Sequence, residues 1–343
     1  MHRTLTLAAA CLALVVIVAG AYVRLSDAGL GCPDWPGCYG KPTPAHAASE
    51  IARAVAEQGG EHGSVSFAKA WKEMGHRYLA GVLGILIAWL FVLSWRPGGG
   101  SGWRRIVASC LLLAVLFQAA LGMWTVTLLL RPAIVTAHLL GGLTVFSLLV
   151  WFHVSERDWR PAPESRTLRF PALAGLLAVC VQITLGGWVS ANYAALACPD
   201  FPLCRGAVVP AMAFSDSFHV FRELGQTAGG ELLPLDALTA IHWVHRAFAL
   251  IVLLLFAWVL YRAFASPLRR LALGVAGLLI TQLSLGIFTV LLGLPLPAAA
   301  AHNLGATLLL GSLVVLNFFA FSGLEPTLTS CSVKVVPTVS GPK

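Results

Sequence analysis

Eight apolar stretches, near residues 5–24, 75–95, 104–128, 133–153, 170–191, 239–262, 268–291 and 298–320, constrain this 343-residue chain more than any other feature. Each approaches the roughly 20 residues that a helix needs to cross the hydrocarbon of a bilayer. None alternates as a strand would. In lipid a helix satisfies its own backbone hydrogen bonds, so the pattern predicts an all-α membrane protein with eight transmembrane helices. Only 11% of the residues are charged, against about 25% in a soluble domain. Arg3 precedes the first stretch in the manner of a signal peptide, but the run continues to Val23 without a persuasive cleavage site and reads as a first span.

The net charge of +8 does not indicate nucleic acid, because of where the charges fall. Arg96, Arg104 and Arg105 lie between the second and third stretches. Arg157, Arg160, Arg166 and Arg169 lie between the fourth and fifth, and Arg262, Arg269 and Arg270 between the sixth and seventh. The positive-inside rule makes these short connections, and with them both termini, cytoplasmic. Two long segments, near 25–73 and 192–238, then face the other side, the periplasm if the protein is bacterial. The tail from about Ser322 to Lys343 reads as polar and loose.

The long segments carry "CPDWPGC" (32–38) and "CPDFPLC" (198–204). Three further pairs follow in the same order: "EMGHRYLAG" (73–81) with "HWVHRAFAL" (242–250), "QAALGMWTV" (118–126) with "QLSLGIFTV" (282–290), and "TAHLLGGLTV" (136–145) with "AAHNLGATLL" (300–309). The offsets are 166, 169, 164 and 164 residues. Matches in order at a nearly constant offset indicate a duplicated unit. An even number of helices per unit keeps both halves in one orientation. The expectation is two four-helix bundles, 1–160 and 161–321, related by a pseudo-twofold axis along the membrane normal, with a cytoplasmic tail over 322–343. Cys11, Cys110 and Cys180 lie in apolar runs and read as small buried side chains; Cys331 falls in the tail.

His76, His138, His242, His245 and His302 lie near the outer ends of the predicted helices. Ionisable residues within a span are costly and point to function. His76 and His138 open the second and fourth helices of the first unit, and His245 and His302 hold those places in the second. One histidine from each of two helices can face the other across a bundle core, where cofactor sites are commonly built. Two opposed imidazoles in an apolar cage suit axial ligation of haem iron. A structural zinc site wants four ligands, and each unit offers two. Arg77 and Arg246 follow the first histidine of each unit, so they either snorkel to the interface or pair with haem propionates. Glu73 precedes His76 by three residues, where the second unit has His242. That carboxylate could relay protons or stabilise developing positive charge, or it could simply sit at the start of a helix. The role of His242 stays open.

"VRLSDAGLGCPDWPGCYG", "EMGHRYLAG", "TAHLLGG", "HWVHR" and "AHNLGA" together resemble the haem A synthase family, over residues 5 to 320. The resemblance implies two four-helix bundles and oxidation of a porphyrin methyl group of haem O to a formyl group, through successive hydroxylations. It implies that His245 and His302 ligate a resident haem b in the second bundle. It implies that His76 and His138 line the site for haem O and haem A in the first, with Glu73 as the family's acidic residue. Two strong axial ligands leave no open position, so either one ligand leaves or water attacks the oxidised substrate haem; the sequence does not choose. Disulfides Cys32–Cys38 and Cys198–Cys204 would close short loops over the haem edges, with a redox role for the Cys32–Cys38 pair as the alternative. The loop cysteines match those of many bacterial members, though not all, and mitochondrial-type members lack the first pair. The implied setting is a bacterial inner membrane, with lipid and haem O as partners, an unnamed electron donor or acceptor, and the haem O synthase as a candidate source of substrate. Homo-oligomerisation stays open. The main rival is a bis-histidine membrane cytochrome b that passes electrons without modifying haem.

Overall fold

The computed structural model describes residues 2–98, 101–157, 159–161 and 166–325. The tail beyond residue 325, including Cys331, lies outside the described residues. Among the described residues, eight helices are long and apolar enough to span a membrane. They are α1 (His2–Leu25), α3 (Phe67–Trp95), α4 (Gly102–Thr127), α5 (Pro132–Ser155), α6 (Arg166–Ala191), α8 (Leu235–Phe264), α9 (Arg269–Leu291) and α10 (Leu296–Ser322). Two short helices, α2 (Ala48–Glu57) and α7 (Phe214–Ser217), lie in the long connections. Two-residue strands β1 (Arg160–Pro161) and β2 (Leu324–Glu325) pair antiparallel. The protein is a multi-pass, all-α membrane protein.

The eight apolar stretches match the eight helices, with one informative difference. Helix α3 begins eight residues before the expected start at 75. Lys69, Lys72 and Glu73 depress the hydropathy there, but Ser66 caps the helix by accepting from the Lys69 amide at 3.2 Å. Ala70 and Met74 then bury themselves against Cys32, Cys38, Ala47 and Ile51. The first turns of α3 therefore form a polar-sided foundation for the first cysteine loop rather than a lipid-facing span.

Helices α1, α3, α4 and α5 close a ring of neighbours, each packing on two others, and α6, α8, α9 and α10 close a second. Leu90, Leu111, Leu149 and Phe152 fill the first core, and Phe256, Val275, Leu313 and Leu316 lie in the second. Helix α10 also packs on α1 and α5, and α5 on α6. At one end of the molecule, Glu156 is buried beneath α1 and α4, 2.7 Å from His2 Nδ1 and 3.3 Å from Arg104 Nε. At the other end, Arg24 Nη2 donates to the Ser190 carbonyl at 2.6 Å and Arg131 pairs with Glu223 at 3.2 Å. Both long connections lie at this second end.

The expectation for the free cysteines needs correcting. Cys11 and Cys110 are exposed on the helix surfaces, and Cys180 is half-buried. An apolar run in a membrane protein faces lipid as readily as protein, so hydrophobicity does not report burial.

Candidate functional site

Each cysteine pair forms a disulfide, Cys32–Cys38 and Cys198–Cys204. Beyond each bridge lies a two-residue turn with both central residues at positive φ: Tyr39 (53°) and Gly40 (70°), Arg205 (55°) and Gly206 (78°). That is the tightest hairpin geometry, and one of its two positions is glycine each time. The aspartate of each Pro-Asp pair stabilises it from five residues away. Asp34 accepts from the Tyr39 and Gly40 amides, both at 2.6 Å. Asp200 accepts from Arg205 and Gly206 at 2.6 and 2.8 Å. The Gly206 and Arg205 amides hold the Asp200 carboxyl below the ordinary carboxylate range.

The arginine after each histidine ties these loops down. Arg77 Nη1 donates to the carbonyls of Asp34 at 2.8 Å and Gly37 at 2.6 Å, and its Nη2 pairs with Glu73. Arg246 donates to the carbonyls of Cys198, Asp200 and Leu203 at 2.6, 2.7 and 2.9 Å, and its Nε donates to His242 Nε2 at 3.1 Å. Glu73 is only 4% exposed and accepts from the Cys32 amide at 2.9 Å. The carboxylate is thus locked between its own helix and the loop, not set at an open interface. Each loop lies directly over the helix turn that carries a histidine.

Four glycines seat the four histidine rings. A Cβ at Gly20 would stand 2.8 Å from Cε1 of His76, and one at Gly122 would stand 3.1 Å from Cε1 of His138. The corresponding distances are 3.0 Å from Gly186 to His245 and 3.1 Å from Gly286 to His302. A carbon pair at rest needs about 3.5–4.0 Å, so any side chain at these positions would displace a ring. In the first quartet the rings of His76 and His138 meet edge-to-face, with centroids 6.5 Å apart. In the second, Gly186 on α6 seats His245 and Gly286 on α9 seats His302.

The His76–His138 pair would suit a haem: its 6.5 Å separation is close to what two metal–nitrogen bonds of about 2 Å and half of each ring, roughly 1.1 Å, would require. The Nδ1 atoms of His76, His138 and His302 are buried without a hydrogen-bond partner. Among the described residues, no group of three or more His, Cys, Asp or Glu side chains could cage a metal ion, so the donors come as pairs. A family model described as cytochrome oxidase assembly protein (COX15-CtaA) matches residues 3–314. The chain belongs to this family. It is 43% identical over 315 residues to a protein of Shewanella oneidensis named heme A synthase, covering 89% of this chain and 92% of that one. It is 33% identical over 339 residues to a heme A synthase of a Methylobacterium species, covering 92% and 90%. It is 26% identical over 322 residues to that of Halalkalibacterium halodurans, covering 91% and 96%.

In this family member, then, His76, His138, Glu73 and Arg77 come together beneath the first cysteine loop, and His242, His245, His302 and Arg246 beneath the second. Sequence reasoning missed the loop-anchoring role of the two arginines and the four glycine seats. The glycine signal was present: Gln-x-x-x-Gly recurs at Gln118–Gly122, Gln182–Gly186 and Gln282–Gly286.

Proposed function

We propose that this protein is a haem A synthase, an oxidoreductase of the bacterial inner membrane that converts haem O to haem A for terminal oxidase assembly. The reading divides the chain into an N-terminal bundle, 1–160, and a C-terminal bundle, 161–321, related by a pseudo-twofold axis, with both termini cytoplasmic and both cysteine loops periplasmic. His245 and His302 would hold a resident haem b, which when bound supplies one-electron redox chemistry. His76 and His138 would hold the substrate haem O and the product haem A. Successive hydroxylation of one methyl group gives the formyl group. The haem O synthase is the proposed source of substrate, and an electron partner outside the chain completes the reaction.

The observation that carries this reading is the His76–His138 pair, set 6.5 Å apart with a buried carboxylate one turn away. Glu73 is three residues from His76, on the same helix face. A carboxylate held there stabilises positive charge developing on the substrate and can take up a proton released from the methyl carbon. The second bundle has His242 in that place, which suits a site that carries electrons and modifies nothing. Arg77 and Arg246 act first as anchors of the loops, and the loops restrict water above each site. Their guanidinium groups also present positive charge to propionates at the outer edge.

Pigment extraction tests the reading. Purified protein supplied with haem O should contain haem b together with haem O or A, and Glu73→Ala should retain the pigments yet stop conversion. Two haem b per chain, with neither haem O nor haem A, would leave the electron-passing cytochrome as the better description.

A further inference from the structure

The two quartets seat their histidines by the same glycines but do not hold the rings alike. In the second quartet both rings are bonded by a glutamine amide one turn before the glycine. Gln182 Nε2 lies 3.2 Å from Nδ1 of His245 and donates to the His245 carbonyl at 3.0 Å. Gln282 Nε2 lies 3.2 Å from Nε2 of His302. The Oε1 atoms of both amides are buried without a partner. An amide turned half over offers that oxygen to a ring N–H, which is how ligating imidazoles are commonly oriented.

In the first quartet neither ring is hydrogen-bonded by a side chain among the described residues. Gln118 is present, but its Nε2 donates to the main-chain carbonyl of His138 at 2.5 Å. On α1 the glutamine is missing. Gly20 and Gly186 are 166 residues apart, the offset of the cysteine loops, and at that offset Val16 stands opposite Gln182. The His76 ring therefore has a glycine seat and no side-chain tether, because the side chain of Val16 carries no polar atom and only its main-chain carbonyl is available to the ring.

We propose that this difference separates a permanent site from an exchangeable one. Gln182 and Gln282 act as positioning residues that hold the C-terminal pair in ligating orientation. Val16 offers His76 no side-chain amide, so that the N-terminal pair opens on the less restrained His76 side when haem O enters and haem A leaves. The proposal rests on the haem sites described above and adds which of the four histidines lets go. It also supplies the missing step in the substrate cycle, because a site closed by two fixed imidazoles could neither load nor release.

The test uses full-length protein in lipid nanodiscs, loaded with haem b and haem O, and an excess of apomyoglobin as haem scavenger. Haem b and haems O and A are separated chromatographically, so each bundle reports through its own pigment. Gln182→Val should speed haem b loss about three- to tenfold, the factor that one net hydrogen bond carries, and leave the release of haems O and A unchanged. Val16→Gln should slow that release by a similar factor. The low-spin electron paramagnetic resonance signal of haem b should shift in Gln182→Val, which a packing role alone would not produce. Haem b loss at the wild-type rate with an unshifted signal, or unchanged release from Val16→Gln, would overturn the proposal. Should Gln182→Val fail to accumulate, Val16→Gln decides alone. His245→Ala separates the two levels of inference: if it retains haem b in full, the site assignment itself fails. If it loses haem b while Gln182→Val behaves as wild type, only the tether fails.

Discussion

Gly186→Ala puts the ring seats to a quantitative test. The added Cβ would stand 3.0 Å from Cε1 of His245, 3.6 Å from Nδ1 and 3.7 Å from Nε2. Relief to an ordinary carbon contact needs a movement of about 0.5–1 Å. A metal–nitrogen bond tolerates only about 0.2 Å, so the iron bond cannot absorb it. Either the ring swings off axis or α6 separates from α8. Overpacking of this kind costs roughly 1–3 kcal/mol, which is about 5- to 150-fold in haem affinity. Alanine should at the same time favour the isolated helix by up to about 1 kcal/mol. The two effects have opposite signs, and this makes the experiment discriminating. Haem b per chain, measured as the pyridine haemochrome, should fall while the helix content of the purified protein does not. Gly277→Ala on α9 is the control, because a Cβ there meets nothing within 4 Å; it should leave haem b unchanged. Wild-type haem b content and an unaltered low-spin spectrum in Gly186→Ala would refute the idea that these glycines exist to admit an imidazole.

Three further outcomes follow from the loops. Replacing both Cys198 and Cys204 by serine opens a short ring and should cost about 2 kcal/mol, read as a lower melting temperature of the oxidised protein; a melting temperature equal to that of wild type would show that the turn and Arg246 hold the loop unaided. Asp34→Ala strands two turn amides and should cost roughly 1–3 kcal/mol, with faster hydrogen exchange confined to residues 32–41 as the local signature. The Asp200 carboxyl is held below its ordinary range, so its contribution is present above the unfolded carboxylate pKa and is lost as pH falls through the lower folded value. Asp200→Asn should flatten the acid limb of stability against pH, and an unchanged limb would show that the turn amides do not select the charged form.

The spans are legible in the sequence because their signal is length and hydropathy, properties that one window of residues contains. The start of α3 is not, since Lys69, Lys72 and Glu73 mask a helix whose buried side is made only when Ala70 and Met74 meet Cys32 and Cys38. The histidines can be read because an ionisable side chain in an apolar helix is costly unless a ligand or a partner receives it. For Gly122, Gly186 and Gly286 the sequence offers the Gln-x-x-x-Gly recurrence and for Gly20 not even that, and since glycine is common in membrane helices only the neighbouring ring tells a seat from a packing contact. Asp34 looks like part of its own turn, whereas it caps one five residues on. Arg77 and Arg246 leave a choice between solvent and propionate, and the carbonyls that receive them come from loops whose path the sequence does not give. Apart from Asp34, the missing information is in each case a partner distant in sequence.

Helix α10 is the most buried of the eight spans and touches α1 and α5 as well as its own quartet. It follows the other seven in chain order. Until it inserts, α1 and α5 lack part of their packing partner, and His245 has no opposing ring. On the proposed assignment of the haem sites, haem b would therefore be held only once α10 has inserted beside the earlier helices. A chain stopped before residue 296 would present the seven earlier described spans with the packing faces of α1, α5, α6 and α9 uncovered, a species for membrane quality control.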